Sequence, residues 1–219
     1  MRFLRPFLSL VVVALLASPL AAAPDYWKKD IQKFLAADAA NPPPQDAVLF
    51  IGSSSIRMWK TLAKDFPQVK TINRGFGGSE LADSVYYADQ IAIPYRPRTV
   101  VLYAGDNDVA NNKSPEQIAA DFVAFREKIH AALPQTRIIY LAVKLSPSRM
   151  QFRDAALRTN ELIAADCAQH PLCTFVDIVT PMLDDAGQPR PELFLSDMLH
   201  LSDAGYAIWT RALAPHLQP

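Results

Sequence analysis

Apolar positions along this chain follow two periods. Trp27, Ile31, Phe34 and Leu35 recur at helical spacing and stop before Asn41-Pro-Pro-Pro-Gln, which predicts a packing helix that ends in a turn. Five short runs are instead mainly apolar and rich in β-branched residues: Ala47 to Ile51, Val69 to Ile72, Thr99 to Tyr103, Arg137 to Val143, and Thr174 to Ile178. That is the pattern of strands buried on both faces. Helical stretches separate them. In the clearest, Ser114-Pro115-Glu116-Gln117 reads as a capping box, Ile118, Phe122, Phe125 and Ile129 share one face, and Leu133-Pro134 ends the helix. Ser148 to Gln151 repeats the capping signal before another helix. Strands joined through helices need crossover connections, so an α/β fold is predicted, with a mostly parallel five-stranded sheet covered on both faces. No repeat, low-complexity tract or linker interrupts it, and residues 24–219 read as one domain.

In such a sheet, chemistry belongs just past the carboxyl ends of the strands. Four segments there are polar: Gly52-Ser53-Ser54-Ser55, Asn73-Arg74-Gly75-Phe76-Gly77-Gly78, Gly105-Asp106-Asn107-Asp108, and Ser196-Asp197-Met198-Leu199-His200. Together they offer a nucleophile, backbone donors, an amide, an acid and a base. These blocks, in this order across nearly the whole chain after residue 23, resemble those of the GDSL or SGNH hydrolase family. Each block alone is a weak signal, and the four in register are strong. The resemblance implies a flavodoxin-like three-layer α/β/α domain that hydrolyses esters or thioesters without a cofactor. One position departs from the family pattern: Ser53 stands where the family usually has Asp. That Asp is not a triad member, so the change bears on loop geometry and substrate fit.

The residues support the same reading on physical grounds. Ser54, at a strand-to-helix junction, is the expected nucleophile, activated by His200 as general base. Asp197, three residues before His200, can orient the imidazole and fix its tautomer. The backbone amides of Ser54 and Gly78 and the side-chain amide of Asn107 are the expected oxyanion donors. Asp106 and Asp108 are read as helix caps. His130, His170 and His216 are read as structural or solvent-facing, and Trp27, Trp59 and Trp209 as core or cleft wall. Neither a phosphate-binding Gly-Lys-Ser/Thr ending nor the dinucleotide glycine spacing is present, and a histidine-poor chain argues against a metal site.

Composition narrows the partners. The chain has 219 residues, half of them apolar, with 22 basic and 22 acidic side chains. It therefore lacks the basic excess that drives binding to nucleic acid or anionic membranes. Arg2 and Arg5, the apolar run Phe7 to Leu16, and Ser18 to Ala23 form an export-signal pattern, placing residues 1–23 as a signal peptide and the mature protein in the periplasm or outside the cell. An uncleaved anchor is the competing reading, disfavoured by the short run and by Pro19. In an oxidising compartment the two cysteines, Cys167 and Cys173, become a candidate disulfide, with two buried thiols as the alternative.

The expectation is thus an exported serine esterase that acts through an acyl-enzyme on Ser54. Its substrate would be a small ester, with O-acetylated carbohydrate favoured. An O-acyltransferase on the same scaffold and a non-catalytic periplasmic binding protein are the alternatives. Lys144 to Met150 and Thr180 to Ser196 are the loops expected to shape the pocket.

Overall fold

A computed structural model describes residues 25–217. The predicted signal segment lies outside the described residues. Helix α1 (Lys28–Ala40) leads into strand β1 (Val48–Gly52), followed by two one-turn helices, α2 (Ser54–Arg57) and α3 (Leu62–Asp65). Then come β2 (Thr71–Gly75), α4 (Leu81–Ile91), β3 (Thr99–Tyr103), the short α5 (Asp106–Ala110), α6 (Pro115–Ala132) and β4 (Arg137–Leu141). The chain continues through α7 (Arg153–Cys167), β5 (Cys173–Val176) and α8 (Asp203–Leu213).

All five strands are parallel, in the order β2-β1-β3-β4-β5. The sheet is therefore wound in both directions from β1 and β3, and its switch point lies where their carboxyl ends diverge. Register assigns the faces. Phe50 pairs with Val101 and Leu102 with Tyr140, so Phe50 and Tyr103 share one face and Tyr140 lies on the other. On the first face Phe50 stacks on Phe66 and meets Trp59 edge-on, while Tyr103 packs against Trp209 of α8. On the second, Tyr140 packs against Phe122 of α6. Trp59, Trp209, Tyr103, Tyr140 and Phe50 are fully buried, so helices cover both faces as the apolar strands require.

Several element boundaries differ from the sequence expectation. β2 begins at Thr71 and runs through Asn73-Arg74-Gly75, because these polar residues pair in register with Phe50, Ile51 and Gly52 of β1. β4 ends at Leu141 and β5 at Val176, each two residues early. The helix predicted to start near Ser148 starts at Arg153 with no side-chain cap; residues 147–152 form a 3-10 segment instead. Leu35, placed on the buried stripe of α1, is 39% exposed. The expected box at Ser114 is half made: Ser114 Oγ accepts from Gln117 N (3.2 Å), while the Gln117 side chain turns to Asp121 (3.0 Å).

A complete reciprocal box caps α4, between Glu80 and Asp83. Asp83 accepts from the Glu80 amide (2.8 Å), but burial dominates and pushes its carboxyl up to about 6. An acid whose folded value is raised binds more protons in the native than in the unfolded state, so its contribution to stability falls as pH rises from about 4 to about 6. Asp83→Asn keeps an acceptor for the amide and removes this titration. Urea midpoints measured from pH 4 to 7 should therefore show the variant gaining on the wild type as pH rises; parallel curves would refute the assignment.

Cys167 closes α7 and Cys173 opens β5; their Cα atoms are 4.9 Å apart and the sulfurs are paired as a disulfide. No helix among the described residues is long and apolar enough to cross a membrane.

Candidate active site

β1 delivers Ser54. The strand ends at Gly52 with φ +131°, and a Cβ there would lie 1.9 Å from the Tyr103 carbonyl oxygen, so only glycine lets β1 and β3 approach so closely. Ser53 N then donates to that same oxygen (3.0 Å), and the chain turns directly into α2 with Ser54 as its first residue. Ser53 itself is buried. From the far end of the chain, Tyr206 of α8 donates to the Ser55 carbonyl (2.8 Å) and fastens this turn.

His200 reaches Ser54 across 146 residues, with Nε2 3.0 Å from Oγ. Its other ring nitrogen, Nδ1, lies 2.6 Å from Asp197 Oδ2. The second carboxylate oxygen accepts from the backbone amides of Leu199 (3.0 Å) and His200 (2.9 Å), so the local turn itself aims acid and imidazole together. The hydrogen bond from His200, aided by these amides, holds the Asp197 carboxyl down at about 2. A carboxylate on Nδ1 keeps the ring proton there and leaves Nε2 free to accept from the Ser54 hydroxyl. This geometry can move a proton from Ser54 to His200 and stabilise the imidazolium that results. Leu195 and Met198, about two-fifths exposed, make an apolar rim beside Asp197.

Gly78 and Asn107 come together through a different contact. Asn73, read from sequence only as part of the glycine block, donates from Nδ2 to Ile56 O (2.7 Å) and accepts at Oδ1 from Gly75 N (2.9 Å). It thereby straps the end of β2 to α2. The following loop turns at Gly78, with φ +84° and open space where a side chain would stand. Trp27 Nε1 donates to Gly77 O (2.9 Å), and Asn107 Nδ2 donates to Ser79 O (2.9 Å). Asn107 is thus docked one residue from Gly78.

Of the two acids expected to cap helices, Asp108 does so and Asp106 does not. Asp106 caps nothing; it is buried and paired with Lys144 and with Arg149 (2.6 Å), and Lys144 Nζ also reaches Tyr103 Oη (3.1 Å). Burial works to raise the Asp106 carboxyl, but the two cations outweigh it and hold it below the ordinary range. Lys144, expected on a pocket-shaping loop, is fully withdrawn from solvent by this pairing. Asp108 accepts from Leu81 N through both oxygens (3.2 Å) and meets Lys113 (3.1 Å), so it caps α4 rather than its own helix. Apart from Lys113, five residues from Asp108, these partners lie 27 to 43 residues away and could not be read locally.

His130 bonds Thr136 O (3.0 Å) and His170 bonds Asp166 O (2.7 Å), both structural contacts. Trp27, Trp59 and Trp209 are core residues. Asp184 organises an exposed turn by accepting from Ala186 N and Gln188 N. No grouping of three or more His, Cys, Asp or Glu suited to a metal ion occurs among the described residues.

Residues 51–208 match the model of the GDSL-like Lipase/Acylhydrolase family. Among curated proteins, the chain is 28% identical over 198 residues to the platelet-activating factor acetylhydrolase IB subunit alpha1 of Pongo abelii, covering 85% of this chain and 80% of that protein. The Homo sapiens counterpart is 26% identical over 196 residues, with the same coverage. Among solved structures, a GDSL-like lipase from Bacteroides thetaiotaomicron superposes with a TM-score of 0.71 at 22% identity, over 85% of this chain and 96% of that one. An acetylxylan esterase from Geobacillus stearothermophilus gives 0.65 at 16% identity, over 81% and 96%. At these identities the structural matches speak to the fold.

Proposed function

This chain belongs to the GDSL-like lipase/acylhydrolase family and is a carboxylic ester hydrolase; from that premise we propose that it is an exported enzyme that removes short acyl groups, acetate foremost, from hydroxylated substrates such as O-acetylated carbohydrate. Ser54 attacks the ester carbonyl, and His200 takes its proton and then returns it to the leaving alcohol. Water, activated in turn by His200, releases the acid from the acyl-enzyme. Asp197 orients the imidazole, while Ser54 N, Gly78 N and Asn107 Nδ2 receive the oxyanion.

The observation that carries this reading is the placement of His200, 3.0 Å from Ser54 Oγ and 2.6 Å from Asp197. The acyl preference is supported by the names of similar proteins, an acetylhydrolase and an acetylxylan esterase. Export is supported by the pattern of residues 1–23 and by the Cys167–Cys173 pair, which persists in oxidising compartments. Hydrolysis of p-nitrophenyl acetate, butyrate and octanoate by the chain starting near Pro24, beside Ser54→Ala, tests the enzymatic part. Turnover should be fastest on acetate and vanish in the variant. Octanoate preferred over acetate would reject the short-acyl assignment, and activity surviving in Ser54→Ala would reject the nucleophile.

A further inference from the structure

We propose that Arg149 is a positioning residue for the oxyanion donor Asn107, an inference that rests on the proposed role of Asn107. An asparagine amide has two ends of nearly the same shape, and only one of them can donate to an oxyanion. In this site the ends are sorted by their surroundings. Arg149 Nη2 donates to Asn107 Oδ1 (3.1 Å), and Asn107 Nδ2 donates one hydrogen to Ser79 O (2.9 Å). Turning the amide over would set its carbonyl against the Ser79 carbonyl and its NH2 against a guanidinium. Both contacts would be repulsive, so the amide is held one way round. The second Nδ2 hydrogen has no protein acceptor among the described residues and is left for a ligand oxygen.

Arg149 is itself held. Its Nη1 donates to both the backbone oxygen (2.8 Å) and Oδ1 (2.6 Å) of Asp106, whose other oxygen is occupied by Lys144. Two cations share one carboxylate, which leaves a net positive charge directly behind the amide. That charge pulls electron density toward Oδ1 and makes the free N–H a stronger donor at the moment an oxyanion forms. A planar fork suits the task, because one arm grips Asp106 while the other reaches Asn107. The segment is also tied to the acid–base turn, since Ser148 N donates to Met198 O (3.1 Å).

The test is a double-mutant cycle on p-nitrophenyl acetate hydrolysis, with kcat and KM measured separately. Arg149→Met alone should lower kcat at least fivefold and leave KM within twofold. Asn107→Ala alone should lower kcat by about 100-fold. Once Asn107 is gone, Arg149 has nothing to position, so adding Arg149→Met to Asn107→Ala should lower kcat by less than a further threefold. A smaller loss in the single variant, a loss carried by KM, or a further threefold or greater loss in the double variant overturns the proposal. Asn107→Ala with undiminished kcat would instead remove the oxyanion role on which it rests, and the single variant reports that separately. If Arg149→Met fails to give a cooperative melt by circular dichroism, the same cycle and thresholds apply to Arg149→Lys, which keeps the charge but not the second arm.

Discussion

His200→Ala is expected to lower kcat on short esters by about 10⁴-fold or more, and adding Ser54→Ala to it should lower kcat little further. The two side chains act as one unit: the hydroxyl is a poor nucleophile unless the imidazole 3.0 Å away accepts its proton. Losing either partner therefore forfeits nearly the whole contribution of both. Residual activity would come from the oxyanion donors and from binding alone. Asp197→Ala should cost less, because the Asp197 side chain is 48% exposed and water can take over part of its hydrogen bonding to Nδ1. With the Asp197 carboxyl held at about 2, it stays ionised through the working range. Steady-state kinetics on the two single variants and the double decide the matter. Independent, multiplying losses would mean that Ser54 and His200 do not share a proton.

The second large effect is on stability. Asp106→Ala should destabilise the protein by about 3–5 kcal/mol, because it strands the Lys144 ammonium in the interior with no anion. The Lys144 side chain is 1% exposed, and it would be left facing only the hydroxyl and ring of Tyr103. For a domain of this size the loss corresponds to a fall in Tm of roughly 10 °C. The reverse deletion should be milder. Lys144→Met removes a cation but leaves Asp106 paired with Arg149, so the carboxylate keeps a partner. Thermal melts of the two variants test the asymmetry; an equal or larger fall for Lys144→Met would show that the carboxylate does not depend on two cations as described.

What could be read from the chain beforehand depended on whether the determining contacts are local. β3 is legible to the residue, since Thr99 to Tyr103 is a β-branched and apolar run buried on both faces. β2 was displaced because its second half, Asn73-Arg74-Gly75, is polar and is held in the sheet by pairing with β1 and by the Asn73 side chain, neither of which has a signature in a short window. The Asp197 to His200 turn was legible for the opposite reason: its carboxylate bonds backbone and side chain within three residues. Lys144 and Asp106 lie 38 residues apart, and each looks like an ordinary loop charge until the fold buries them together. The support behind Asn107 therefore stayed hidden, although Asn107 itself did not.

The distance along the chain between Ser54 and His200 also bears on when the protein can act. Made from its amino end, the molecule presents its serine on the first strand and its base only after four more strands have been laid down. Even then the serine turn is not fastened until Tyr206 docks on Ser55. A nascent chain that lacks residue 200 cannot carry the relay, so the proposed ester cleavage awaits nearly the whole sequence.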